Sequence, residues 1–243
     1  MRKILKFLVT STLLLFTALI HAESLYIKQL KNGSWDQQAM EKTVELLEAH
    51  QPIEIAAPLK LSPFHNQQLP EQQTERDFCI SCHTIYPHSN SERYRSYLNM
   101  HVSYLSCASC HFEPENTDFD YRWYEWASVS QGELSKTRQI IPFYQQGAET
   151  MSRNHPEISA LLDAWEQSEL TQKAELHLKI HTPLERDGPK CNVCHTDQNS
   201  KLDYIALGYS VEEIKAIQEN RISKFLSDEK FKDKPIKLMD LLQ

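Results

Sequence analysis

All six cysteines of this 243-residue chain fall in three copies of one pentapeptide. The copies are Cys79-Ile80-Ser81-Cys82-His83, Cys107-Ala108-Ser109-Cys110-His111 and Cys191-Asn192-Val193-Cys194-His195. Cys-x-x-Cys-His is the attachment signal for c-type haem. Two thiols bond to the two vinyl groups of the porphyrin, and the two-residue gap spaces the sulfurs to match them. The histidine follows at once, which brings its imidazole under the iron as the proximal ligand. The motif therefore predicts three covalently bound haems c, attached through Cys79, Cys82, Cys107, Cys110, Cys191 and Cys194. The proximal iron ligands are then His83, His111 and His195.

Two other chemistries compete for these cysteines. Paired Cys-x-x-Cys motifs bind zinc, and cysteines in an exported chain are commonly disulfides. Zinc leaves the histidine at the same place in all three copies unexplained. It also divides six thiols and three histidines badly among sites that take four ligands each. A disulfide across two residues closes almost no loop and staples little. Haem accounts for every residue of the pattern.

The second axial ligand decides what each iron does. A second histidine gives a closed iron of low potential, methionine raises the potential, and an open position binds or activates a small molecule. The chain has 11 histidines, of which three are proximal and His21 lies in the N-terminal segment discussed below. Seven remain for three irons, so three bis-histidine haems is the economical reading. The candidate distal ligands are His101, His181 and His88. His101 lies on an apolar helix face ahead of the second motif, and His181 ends a helical stripe ahead of the third. His88 is too close in sequence to His83 to reach across its own haem, so it is expected to serve a neighbour. His177 and His155 are reserves, His50 and His65 read as solvated, and Met100 points elsewhere than His101.

The elements that must position these residues read as mainly helical. Leu25–Leu30 is expected as a short strand closed by Asn32-Gly33. A helix with Met40, Val44 and Leu47 on one face follows, and Pro52, Pro58, Pro63 and Pro70 then mark a linker. Tyr94, Leu98, His101 and Leu105 recur at helical spacing. Residues 112–144 are aromatic-rich, suited either to porphyrin faces or to ordinary core packing. Pro156 suits the first position of a helix, and Leu170, Ala174, His177, Leu178 and His181 form a second helical stripe that Pro183 ends. Ser210 and Glu213 make a capping box for a last helix running to Phe225.

The N-terminus reads as an export signal: Arg2, Lys3 and Lys6, then the apolar run Phe7–Ile20, then Ile20-His21-Ala22 as a cleavage site. The run is short of the roughly 18–20 residues a membrane span needs, and no later segment is apolar enough to cross. Losing three basic residues takes the net charge from −7 to −10. That argues against nucleic acid as a partner and suits docking on a basic patch of a redox protein.

With its three motifs and the histidines ahead of the second and third, the chain resembles the multihaem c-type cytochromes of bacterial periplasms over residues 79–111 and 181–195. The resemblance implies bis-histidine ligation and electron transfer between periplasmic or membrane partners, with no catalytic residues. The fold class expected is mainly α, loop-rich and organised around three covalent haems, with minor β near the N-terminus. Residues 1–22 are the signal peptide, 23–70 an accessory segment and linker, and 71–243 the trihaem domain. Haems 1 and 2 then belong to residues 79–111, and haem 3 to residues 191–195. The alternatives are a haem enzyme with one open iron that reduces a small oxyanion or peroxide, and a haem-bearing subunit of a larger redox complex.

Overall fold

The structure is a computed structural model that describes residues 23–51, 77–84, 86–88, 94–130, 133–145 and 147–228. Residues 128–130 and 133–135 are described as backbone only. The export signal, His65 and the proline-marked linker lie outside these residues.

The first element corrects the sequence reading. Leu25–Leu30 is not a strand but most of helix α1, Leu25–Asn32. Ser24 Oγ caps it by accepting the Ile27 N–H at 3.2 Å. The Glu149 carboxylate, far along the chain, accepts the N–H groups of Leu25 at 2.9 Å and Tyr26 at 3.2 Å. The first-turn donors that a helix leaves unpaired are thus satisfied. Tyr26, Ile27 and Leu30 then form one buried stripe. Helix α2, Gln37–Glu48, starts at Asp36, whose Oδ1 accepts the Ala39 N–H at 2.8 Å.

A 3-10 turn, Phe78–Ser81, carries the first motif; α3 is Arg95–His101 and α4, Cys107–His111, carries the second. The helical spacing read through Leu105 stops at His101, because Leu105 bridges Ile140 of the sheet. The aromatic stretch is a long antiparallel hairpin, β1 (Asp120–Ser130) and β2 (Glu133–Tyr144), paired from Asp120↔Phe143 to Ser130↔Glu133. The short β3, Gly147–Ala148, pairs the end of β2. Tyrosine, tryptophan, valine and isoleucine favour a half-buried pleated surface, and Tyr121, Trp126, Ile140 and Ile141 are buried. So the sheet lies mid-chain, where the sequence reading had none.

Helices α5 (Pro156–Gln167) and α6 (Leu170–His181) follow as expected, with Pro156 in the first turn of α5. The third motif forms α7, Cys191–Cys194. The Ser210–Glu213 capping box is present, but the final helix is two: α8 (Val211–Gln218) and α9 (Arg221–Ser227). They separate at Asn220, whose side chain caps α9 by accepting the Ser223 N–H at 2.9 Å.

Two apolar clusters organise the chain. In the first, α1 packs with Phe78, Phe112, Met151, Ile158 and Ile180. The Tyr26 hydroxyl donates to Ile180 O at 3.1 Å, which ties the N-terminal helix to α6. In the second, Tyr121 and Ile140 of the hairpin pack with Leu202, Tyr204 and Leu207, and Phe119 touches both clusters. The three pentapeptides lie along these clusters, and Ala108 of the second is wholly buried in the first. Among the described residues no helix is long and apolar enough to cross a membrane.

Candidate functional site

Each pentapeptide closes a single helical turn. The N–H of His83 donates to Cys79 O at 2.8 Å, and that of His195 to Cys191 O at 2.9 Å. The second motif is itself helical from Cys107 to His111. Residues at i, i+3 and i+4 of a turn share one face, so both thiols and the imidazole of each copy are presented together. Neighbouring elements hold these turns. Ser106 Oγ accepts the Ser109 N–H at 3.3 Å, the Ser106 N–H donates to Ile140 O at 3.1 Å, and the Ser109 hydroxyl donates to the same carbonyl at 2.7 Å. The hairpin thus fixes the start of the second motif. All six cysteines are free thiols. Among the described residues no group of three or more His, Cys, Asp or Glu side chains converges as a metal ion would require.

Each motif histidine faces a second histidine from outside its own pentapeptide. His83 meets His181 with ring centres 6.0 Å apart. His111 meets His88 at 6.2 Å, and His195 meets His101 at 6.0 Å. An imidazole nitrogen bonds a transition metal at about 2 Å, and in a ring with bonds of about 1.3 Å each atom lies about 1.1 Å from the centre. Two imidazoles on opposite sides of one iron therefore have ring centres about 6 Å apart. All three pairs have that spacing. The pairs differ in orientation: the rings of His88 and His111 are 19° from parallel, whereas the other two pairs cross at 76° and 88°.

The tautomers suit the same chemistry. Nδ1 of His101 lies 2.7 Å from Tyr97 O, that of His181 2.8 Å from His177 O, that of His111 2.9 Å from Glu185 O and that of His195 2.8 Å from Ile217 O. A carbonyl only accepts, so in each ring Nδ1 carries the proton and donates. Nε2 then keeps its lone pair for a metal, and the bond holds the ring's orientation. Burial pushes the imidazoles of His83, His88, His101 and His181 below their ordinary pKa, and neighbouring imidazoles push the first three further. The neutral ligating form is favoured. A haem fits these residues: paired thiols and an imidazole on one side, a second tautomer-fixed imidazole on the other.

The reserve histidines have other settings. His155 is the N-cap of α5, and its Nδ1 accepts the Glu157 N–H at 3.3 Å. Its proton must then sit on Nε2, the wrong tautomer for an Nε2 ligand. His177 stacks on His181 at 4.0 Å, and burial followed by the neighbouring imidazoles pushes it down to about 4. His50 is exposed.

The three sites are contiguous. The Cys107 thiol is within hydrogen-bonding reach of Cys79, which joins the first motif to the second. Asp77, buried, accepts the Cys107 N–H at 2.7 Å and so couples the same two motifs. Lys201 lies between the second and third: its Nζ donates to Ser109 O at 2.9 Å, pairs with Glu113 and sits 5.4 Å from the Tyr121 ring centre. The thiols of Cys110 and Cys194 both feel its charge, although burial pushes them up to about 11 and about 12. The loop after α6 seals the second motif, since the Glu185 N–H donates back to His111 O at 2.7 Å. Sequence reasoning missed Asp77, Asn99, Lys201 and the carbonyls of Glu185 and Ile217. Backbone groups leave no sequence signal, and single polar residues outside a motif carry none.

No curated protein and no solved structure matches the chain. A family does: residues 27–112, a little over a third of the chain, match cytochrome c554 and c-prime. That stretch runs from α1 through the first two pentapeptides and includes His88 and His101. Over these residues the chain is similar to the cytochrome c554 and c-prime family, and the likeness supports a c-type cytochrome.

Proposed function

We propose that this protein is a trihaem c-type cytochrome that carries electrons between redox partners in the periplasm. The observation that carries the reading is the set of three histidine pairs, each with the ring spacing of two imidazoles on one iron. On this reading the six cysteines hold three haems c by thioether bonds. His83 and His181 are the axial ligands of the first, His111 and His88 of the second, His195 and His101 of the third. Haem supplies a one-electron iron couple. The chain's residues fill both axial positions, which keeps water and small ligands off the metal. The Nδ1–H bonds to carbonyls strengthen the ligands and favour the ferric state, so the potentials are low.

The contacts between motifs support transfer along one chain of haems, with the second in the middle. With residues 1–22 removed as an export signal, the net charge of −10 suits a partner with a basic docking patch.

The test is a haem-to-protein ratio together with carbon monoxide binding by the reduced holoprotein. Three haems and an unchanged spectrum under carbon monoxide are expected. A wild-type protein in which one haem binds carbon monoxide has an open iron, and the reading as a pure carrier then fails.

A further inference from the structure

The second site differs from the others in how its distal ring is held. His101 and His181 stand on helices, and each donates Nδ1–H to a carbonyl one turn earlier in its own element. Helix geometry alone fixes those rings. His88 lies outside regular structure. Its partner is a side chain, Asn99 on α3, which is buried. Asn99 Oδ1 accepts both the His88 backbone N–H at 3.1 Å and the His88 Nδ1–H at 3.1 Å. Asn99 Nδ2 donates to His88 O at 3.1 Å. The amide's orientation is fixed, because the reverse would put NH2 against an N–H and a carbonyl against a carbonyl. The ring's tautomer is fixed with it, since an amide oxygen only accepts.

We propose that Asn99 is the positioning residue of the second haem: it does for an irregular segment what the helix backbone does for His101 and His181, and it sets the His88 ring parallel to His111. The inference rests on the reading of His88 and His111 as the axial pair. Ring orientation has an electronic consequence. Parallel imidazoles donate into the same iron d orbital and split it from its neighbour. Crossed imidazoles donate into both and leave them nearly equal in energy. The ferric haem with parallel rings therefore gives a rhombic low-spin EPR signal, and crossed rings give a highly axial one. The 19° pair and the 76° and 88° pairs predict one rhombic signal and two axial ones.

The experiment is EPR and potentiometry of the holoprotein and three variants. His88→Ala should convert the rhombic signal to high-spin iron; if all three haems stay low-spin, His88 is not a ligand and the axial assignment itself fails. With that established, Asn99→Ala should abolish the rhombic signal, by loss of ligation or by rotation of the ring, and leave the axial signals alone. An unchanged rhombic signal in Asn99→Ala overturns the role of Asn99. Asn99→Asp keeps the oxygen that accepts both His88 N–H groups and loses only the Nδ2–H bond to His88 O, so the ring stays held and the rhombic signal should persist; its carboxylate draws harder on Nδ1–H, so the midpoint of that haem alone should fall. If Asn99→Ala yields no holoprotein, Asn99→Asp decides, and unchanged potentials overturn the proposal. Three axial signals in the wild type overturn it with no variant at all.

Discussion

The chain up to His111 and the chain beyond it contribute unequally to the three histidine pairs. His88 and His111 both belong to the first part, and their rings are near parallel. The other two pairs each take one histidine from either side: His83 with His181, and His101 with His195. Those cross-pairs have crossed rings. One site can thus be completed locally, through a side-chain clamp, whereas the other two exist only because the later helices dock on the earlier motifs. The docking is made by ordinary core packing: α1 against Ile158 and Ile180, and Leu105 against the cluster of Tyr121, Ile140, Leu202, Tyr204 and Leu207.

The largest test of that contrast removes the crossing ligands. His101→Ala and His181→Ala should each open one haem to carbon monoxide, and the double variant two of three, while the rhombic signal assigned to His88 and His111 stays. A clean low-spin spectrum in either single variant would mean that its ring is not a ligand.

Next in size is the join between the two parts. Tyr26 is buried, and its hydroxyl reaches Ile180 O, next to His181. Tyr26→Ala should cost about 3–5 kcal/mol of unfolding free energy through the cavity it leaves. Tyr26→Phe should cost about 1 kcal/mol for the lost hydrogen bond. Denaturant titration of the holoprotein measures both, and a neutral Tyr26→Ala would show that α1 does not secure α6.

Asp77 tests the contact between the first two motifs. Burial raises its carboxyl from 3.8 to about 6, although the N–H groups of Cys107, Ala108 and Met151 pull it down. A raised carboxyl binds its proton more tightly in the fold than in the unfolded chain. Its contribution to stability is therefore complete below about pH 4 and is lost as pH rises through about 6. Two pH units correspond to about 3 kcal/mol. Asp77→Asn keeps an oxygen for the Cys107 N–H and cannot titrate. Relative to wild type it should gain up to about 3 kcal/mol between pH 4 and pH 7, and parallel pH profiles would remove Asp77 from the account. The smallest effect is expected from Met100→Leu. Met100 adjoins His101, and the ring pairing already supplies a histidine opposite each motif histidine, so the visible spectrum should not change.

Much of the site was legible in the residues themselves. The pentapeptides name six cysteines and three histidines by pattern. Helical spacing picks out His101 and His181 as candidate ligands, short sequence distance directs His88 away from the haem of His83, and the structure faces each of the three with a motif histidine. Local signals that need no partner also read correctly: Pro156 at the head of α5, the stripe of α6, and the Ser210–Glu213 box. Signals that a distant group can override did not. Leu25–Leu30 reads as a strand because it runs into the Asn32-Gly33 turn signal, but the Glu149 carboxylate satisfies its first-turn N–H groups and a core receives its helical stripe. The aromatic residues of the hairpin suit porphyrin faces or core packing alike when read in sequence, and their preference for a pleated sheet shows only in the strand pairing. The break at Asn220 is a single capping side chain inside an otherwise continuous apolar pattern.

The sequence by itself determined which chemistry to expect: the pattern that pairs two thiols with a following imidazole, three times over, and the number of other histidines available. Bond lengths and residue spacing suffice for that, because every atom involved lies within one turn of chain. Only the tertiary structure decided which histidine faces which. His83 and His181, or His101 and His195, are brought together by packing between segments far apart in the chain, and spacing along the sequence carries no information about that. Ring orientation is decided at the same level. It depends on whether the proton of Nδ1 meets a carbonyl of its own helix or the amide of Asn99, and that partner exists only once the chain has folded.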